Sequence, residues 1–345
     1  MSSRTHRVLT CVVDNLVSLQ TQTIPEISDG DILVALKACG ICGTDIAKIF
    51  DPYFKKPQKI GHELVGVVSQ SKSLHFKVGE RVAVAHHAPD LNSHYTLRGS
   101  APMDPVFKSS NIEPCGFAEF IRVPVALVEQ TVVPVPANVP DLRAAFMEPM
   151  ACCLRALDRV DVVTGDSCLV IGVGAVGILF LPLLRDLGVV TLVMDVKPER
   201  LQLAEEWGAI GGLLAGQGDL PALAQKHSHG RGVDLVIVNV ITASTIEAAL
   251  NAVRDGGTIL LFGSKPNNSF KIDWWDIWRR EINLISSYSS TPDLLPRAMQ
   301  LLTQDDFALE KLVSHQFNLD NAAQGFAFVH EGRAGKVMIV ADAKS

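Results

Sequence analysis

Cys42 is followed twenty residues later by His62 and Glu63, within Gly61-His62-Glu63. A thiolate, an imidazole and a carboxylate are all good zinc ligands, and zinc accepts this mixed set tetrahedrally. Three protein ligands leave the fourth position for water or substrate, which is the arrangement that does chemistry rather than holding a fold. The same residues also read as a small buried hydrophobe beside a satisfied polar pair. Spacing alone does not choose between the two readings, and what favours the metal lies about a hundred residues downstream.

There, Ser167-Cys-Leu-Val-Ile171 is an apolar, β-branched strand, and Gly172-Val-Gly174-Ala-Val176-Gly177 opens a helix after it. Gly172 permits a tight turn, Gly174 lets the backbone approach a pyrophosphate, and Gly177 lets helix and strand pack closely. Together with Val176 these glycines form the set expected to lie against a dinucleotide, on a helix N-terminus whose free N–H groups suit phosphate. Asp195 ends the next apolar run, Val189 to Met194. A carboxylate there accepts from ribose hydroxyls and repels a 2′-phosphate, which favours NAD over NADP. Arg200 could reach the ribose or stack on adenine, or be a solvated cation at a helix start. Glycine-rich strand-turn-helix units also bind S-adenosylmethionine in methyltransferases, a reading that leaves Cys42, His62 and Glu63 unexplained.

The elements that position these residues fall into two styles. From Val8 to Pro136 short strands alternate with Gly, Pro, Asp and Asn, for example at 31–36, 65–68, 80–85 and 120–124. That is the grammar of a small irregular β-barrel. From Ser167 onward strands alternate with helices: 233–240 is a strand, 242–254 has helical periodicity, 255–263 is a turn into a strand, and 281–288 is one more. This implies βαβ units and an open parallel sheet. An amphipathic 294–302 segment and a last strand at 336–341 plausibly return the tail to the first domain. A chain of 345 residues accommodates two such domains.

Composition narrows the partners. Hydrophobic residues make up 48% and charged residues 20%, an ordinary globular balance. The net charge of -6 without a Lys/Arg cluster argues against nucleic acid or anionic membrane. The uncharged stretch from Cys168 to Leu184 is slightly short for a membrane span and is interrupted by Gly172, Gly174, Gly177 and Pro182, so a buried strand followed by a buried helix is expected. The first residues carry no leader pattern, and seven scattered cysteines suggest reduced thiols, hence a cytoplasmic protein.

A zinc-ligand set in a β-rich first half, followed by a dinucleotide fold, resembles the medium-chain zinc-dependent alcohol dehydrogenase superfamily. The resemblance runs through Cys42-Gly-Thr-Asp45, Gly61-His-Glu-Leu-Val-Gly66, Val78-Gly-Glu-Arg-Val82, Gly116-Phe-Ala-Glu-Phe120, Glu148-Pro-Met-Ala151, Gly172 to Gly177 and Gly335-Lys-Val-Met338. Glu after His in the metal motif, with Ser287-Tyr288-Ser289 and Gly230-Arg-Gly-Val-Asp234, looks most like the sorbitol/iditol (polyol) and threonine dehydrogenase branch. The resemblance implies an α/β chain with a GroES-like irregular β-barrel catalytic domain, discontinuous over 1–150 and 290–345. It also implies a Rossmann NAD-binding domain, with a doubly wound parallel sheet, over 151–289. Cys42, His62 and Glu63 then match the catalytic zinc ligands. Glu148 matches a carboxylate that in parts of the family binds zinc or exchanges with its water, or else serves as a helix N-terminal carboxylate. Thr44 matches the hydroxyl that receives the substrate proton. NAD, a polyol, sugar-alcohol or cyclitol substrate and a homodimer or homotetramer follow from the same resemblance.

The departures are as informative. The family's second, structural zinc lobe uses four cysteines spaced two, two and seven apart, and those positions here are Asp90, Ser93, Thr96 and Asp104. Soft ligands are gone, so one catalytic zinc and no structural zinc is expected, with the 88–111 loop held by packing or a subunit contact, or mobile. The histidine that continues the proton relay is replaced by Ala47, beside Lys48. No Arg/Lys constellation marks a phosphorylated substrate. Loss of the relay and the lobe also leaves room for a non-catalytic nucleotide-binding protein.

Overall fold

A computed structural model describes residues 4–13, 15–263 and 265–341. The start of the segment read for a leader lies outside them. The chain divides into one unit formed by 1–151 with 290–345 and a second formed by 152–289.

In the first unit, seven strands form one sheet. Its order is Val313–Phe317, Lys336–Val340, Ile32–Gly40, Glu63–Ser71, Arg81–Val84 and Val132–Pro134, and Phe120–Val123 also pairs with Ile32–Gly40. Thr5–Val13 and Leu16–Thr23 form a separate antiparallel pair. Val34, Leu64, Val84, Phe117, Phe326 and Ile339 belong to one buried core, drawn from both ends of the chain. The returning tail is held there because Lys336–Val340 is apolar after its first residue and slots between two strands. Register matters for the site: Glu63 lies opposite Gly40, and Gly40 lies opposite Met338. The chain leaves this sheet corner two residues before Cys42.

In the second unit, six strands form a wholly parallel sheet in the order Gly211–Leu214, Val190–Asp195, Ser167–Ile171, Val233–Val238, Val253–Leu261, Asn283–Ser286. Strand order reverses direction at Ser167–Ile171, the switch point where doubly wound sheets bind ligands. The Ser167–Ile171 strand is buried throughout, as a sheet covered on both faces requires. The chain from Cys168 to Leu184 forms this strand, a 3₁₀ turn at Gly177–Leu179 and the start of helix Phe180–Asp186. No helix among the described residues is long and apolar enough to cross a membrane. One boundary differs from the periodicity: helix Ala243–Ala252 stops before Val253, which is extended and starts the next strand.

Candidate metal and dinucleotide sites

One ligand atom from each of Cys42, His62 and Glu63 lies within 4.8 Å of the others. Two chain segments supply them. Cys42 precedes helix Gly43–Phe50, and Glu63 begins strand Glu63–Ser71. Asp45, fully buried, ties the segments together: one carboxylate oxygen accepts from the Cys42 N–H at 3.0 Å, the other from the Gly61 N–H at 2.8 Å. The second oxygen also lies 3.5 Å from His62 Nδ1. Gly61 adopts φ +79, and a Cβ there would stand 2.8 Å from the Phe117 ring, so only glycine passes this turn at no cost.

Glu63 is 1% exposed, and its Oε2 pairs with the Lys336 ammonium, itself 2% exposed. Lys336 also donates to the Ile41 carbonyl at 3.2 Å. A Cβ at Gly40 would overlap the Glu63 carboxylate, so the strand opposite must carry glycine there. Glu63 Oε1 is buried with no hydrogen-bond partner among the described residues. A buried, unpartnered carboxylate oxygen is costly, and a cation beside a thiolate and an imidazole removes that cost. The donor set therefore fits zinc. Burial opposes charging of His62, but Asp45 and Cys42 outweigh it and hold its pKa well above the ordinary 6.5. For Lys336, likewise, Glu63 and Cys42 overcome burial and raise it.

The other residues singled out in the sequence are distributed as follows. Thr44 is exposed, its hydroxyl 3.6 Å from Cys42 Sγ. Glu148 is buried in the first turn of helix Met147–Leu157 and does not join the close group. Cys39 is fully buried in its strand, where burial pushes its thiol well up.

In the second unit, Gly172 has φ +85, and a Cβ on Gly177 would collide with the Gly172 carbonyl. Val176 leads into the 3₁₀ turn that starts the helix. Asp195 Oδ2 accepts from the Val173 N–H at 2.9 Å and Oδ1 from the Lys197 N–H at 3.1 Å, so the acid fixes the glycine loop as well as ending its strand. Arg200 Nη1 lies 3.6 Å from Asp195 Oδ1 and 3.6 Å from where a Gly174 Cβ would stand. Asn239, which sequence reasoning passed over, donates to the Gly172 carbonyl at 3.0 Å. Its signal was a polar side chain closing the apolar Val233–Val238 strand. Asp45 and Lys336 have support roles that their motifs do not announce; a lone cation heading an apolar strand is the mark of Lys336.

The positions of the four absent cysteines also meet. Asp104 Oδ1 accepts from the Asp90, Val106 and Phe107 N–H groups at 3.1, 2.9 and 3.1 Å. Ser93 Oγ accepts from the Thr96 N–H at 3.2 Å and bonds the Thr96 hydroxyl at 3.1 Å. Asp104 and Ser93 thereby cap two short helices, Pro105–Ser109 and His94–Leu97.

The chain resembles known proteins over most of its length. Residues 28–137 match the family model described as the alcohol dehydrogenase GroES-like domain, and 175–304 match that of zinc-binding dehydrogenase. An L-threonine 3-dehydrogenase of Chelativorans sp. (strain BNC1) is 28% identical over 92% of this chain and 93% of its own. A protein of Sinorhizobium meliloti 1021, described as a zinc-binding dehydrogenase and bound to NADP, superposes with TM-score 0.87 at 25% identity, covering 98% of this chain and 99% of its own. Galactitol-1-phosphate dehydrogenase from Escherichia coli shares the fold with TM-score 0.86 at 23% identity, covering 97% and 99%.

Proposed function

We propose that this chain, which belongs to the medium-chain zinc-dependent alcohol dehydrogenase superfamily, oxidises a secondary alcohol to a ketone with NAD as hydride acceptor. The substrate class is a polyol, sugar alcohol or cyclitol. The observation that carries this reading is the convergence of Cys42, His62 and Glu63 with one buried carboxylate oxygen left unpartnered.

In it, Cys42, His62 and Glu63 hold one zinc ion, and Glu148 is a further carboxylate available to it. Bound there, zinc supplies Lewis acidity that eases loss of an alcohol's proton. Bound in the second unit, NAD supplies the hydride-accepting ring. The exposed Thr44 hydroxyl, beside Cys42, takes the proton from the substrate hydroxyl and passes it to solvent, because Ala47 offers no further relay. Asp45 keeps Cys42 and His62 in register, and Lys336 fixes one oxygen of Glu63 so that the other faces the donors. Gly174, Val176 and Gly177 receive the pyrophosphate on N–H groups, while Gly172, whose own N–H donates to the Met194 carbonyl at 2.7 Å, turns the chain toward it. Asp195 has lone pairs left for ribose hydroxyls and repels a 2′-phosphate, and Arg200 flanks it, which supports NAD over NADP.

Assembly as a homodimer or homotetramer belongs to the same proposal. Strand Asn283–Ser286 is the last strand of its sheet, and Trp274, Trp275 and Trp278 before it are each more than 60% exposed.

L-Threonine is the second reading, favoured by the 28% identical relative, and it too is a secondary alcohol. The test is zinc-loaded protein assayed at 340 nm with NAD against a panel of polyols, cyclitols and amino alcohols. Turnover that disappears on metal stripping and returns with zinc supports the proposal; absence of turnover across the panel contradicts it.

A further inference from the structure

Strands Thr5–Val13 and Leu16–Thr23 form a two-stranded sheet whose two outer edges differ. The edge of Thr5–Val13 is covered. The Leu9 N–H donates to the Phe117 carbonyl at 2.9 Å, the Glu119 N–H to the Arg7 carbonyl at 3.0 Å and the Gln58 N–H to the Cys11 carbonyl at 3.0 Å. The edge of Leu16–Thr23 has no such cover. Among the described residues its one strand partner is Thr5–Val13, and beyond that pairing the backbone from Leu19 to Thr23 makes no hydrogen bond. In an antiparallel pair every second residue turns its N–H and C=O away from the neighbouring strand, so this edge presents unpaired groups.

Free edges are ordinarily kept from pairing by shortness, charge, proline or a bulge. The strands that end the two larger sheets, Val313–Phe317, Val132–Pro134, Gly211–Leu214 and Asn283–Ser286, run for three to five residues. Leu16–Thr23 runs for eight. The stretch 15–25 carries no charged residue, although charged residues make up 20% of the chain. Pairing continues unbroken from Thr5 opposite Thr23 to Thr10 opposite Ser18, so no bulge turns that part of the edge aside, and Pro25 lies beyond it. At the hairpin tip Val12, Val13 and Leu16 are 46%, 55% and 53% exposed.

We infer that this edge is an interface between two copies of this chain, paired antiparallel across a two-fold axis at Gln20. In that register Gln20 faces Gln20, Ser18 faces Gln22, and Leu16 faces Ile24 of the second copy, all on one side of the sheet. Apolar side chains meet at the ends, amides and hydroxyls meet at the centre, and no like charges are brought together. The run therefore matches its own reverse, which a strand from an unrelated protein has no reason to do. Because the other edge of the sheet is covered, pairing closes at two copies instead of continuing as a fibre. It also converts a two-stranded sheet, marginal by itself, into a four-stranded one. The interface is small beside the roughly 1,200–2,000 Å² of stable complexes, so the association is weak and concentration-dependent. It is separate from the Asn283–Ser286 edge and from the metal and dinucleotide sites, and it holds whatever the substrate.

The test is analytical ultracentrifugation of the intact chain over a dilution series, as wild type, Gln20→Lys and Gln20→Glu. Gln20 is exposed and used by neither site, so urea unfolding at low concentration should match wild type and show that both variants fold. Each variant alone sets like charges face to face. The dissociation constant should rise by about tenfold or more, halving the mass at concentrations where wild type is paired, and the effect should fade with salt. An equimolar mixture of the two variants sets opposite charges face to face and should recover the wild-type mass. Assembly through any other surface is halved by the variants and leaves the comparison intact. Wild-type mass in both variants, or a mixture no heavier than its components, overturns the inference. Neither result bears on the dehydrogenase reading, which is judged by its own assay.

Discussion

Around Cys42, three donors from two chain segments converge with one carboxylate oxygen left unpartnered; around Asp104, four positions from one loop satisfy one another. Both regions sit in the same unit, and in the superfamily resemblance both correspond to zinc sites. The difference is in the kind of donor. Asp104 receives three backbone N–H groups and Ser93 caps a helix, so these side chains spend their lone pairs on the protein. No thiolate stands at these four positions, and Asp104 Oδ1 is occupied by the backbone. The loop expected to rely on packing, subunit contact or mobility has both buried packing, at Ala88 and Phe107, and helix caps. Hydrogen bonds can replace a structural metal because only geometry is required of it, whereas a Lewis acid has no such substitute.

That contrast can be broken most directly at the ligands. Cys42→Ser or His62→Ala should lower kcat by about a thousandfold or more, since the Lewis acid is lost, while NADH binding, read by fluorescence titration, stays near wild type. Loss of NADH binding as well would mean that the two halves of the site had been wrongly separated. Next in size, Lys336→Met removes the partner of a buried carboxylate and should cost about 3–5 kcal/mol in urea unfolding. A change near zero would show Glu63 to be satisfied by something other than Lys336. Gly61→Ala forces φ +79 on a residue with a Cβ facing Phe117 and should cost about 1–3 kcal/mol.

The lobe should respond more gently and in a different observable. Asp104→Ala should lower Tm and increase proteolysis within 88–111 without changing zinc content; zinc loss would place an ion there after all. Its pH response has a definite sign. Burial alone would raise the Asp104 carboxyl, but the Asp90 N–H, the Ser93 hydroxyl and the Phe107 and Val106 N–H groups outweigh it and lower its pKa below 3.8. A depressed folded value means stability present above 3.8 and lost as pH falls through the lower folded value. Hydrogen exchange in 88–111 should therefore accelerate below about pH 4, and by less in Asp104→Ala. Equal acceleration in both would remove Asp104 from the account.

Much of this is legible in the residues alone. Ser167–Ile171 stood out because an all-apolar strand before glycines has few other readings, and Cys42, His62 and Glu63 stood out by donor type. Strand Gly211–Leu214 was missed since two of its four residues are glycine, and Val313–Phe317 since it alternates without a strong apolar run. The helix expected to reach Arg254 ended at Ala252 because β-branched Val253 was drawn into the sheet beside Val233. The site's supports were hidden for another reason. Lys336 meets Glu63 only because the tail returns as a strand, and Asn239 meets Gly172 only because two parallel strands are neighbours. Pairings made by topology leave no local periodicity to read.

Metal analysis of the purified, intact chain tests the central claim most directly. The account predicts about one zinc per chain, lost in Cys42→Ser and kept in Asp104→Ala. Full zinc in Cys42→Ser, or about two ions per wild-type chain, would contradict it.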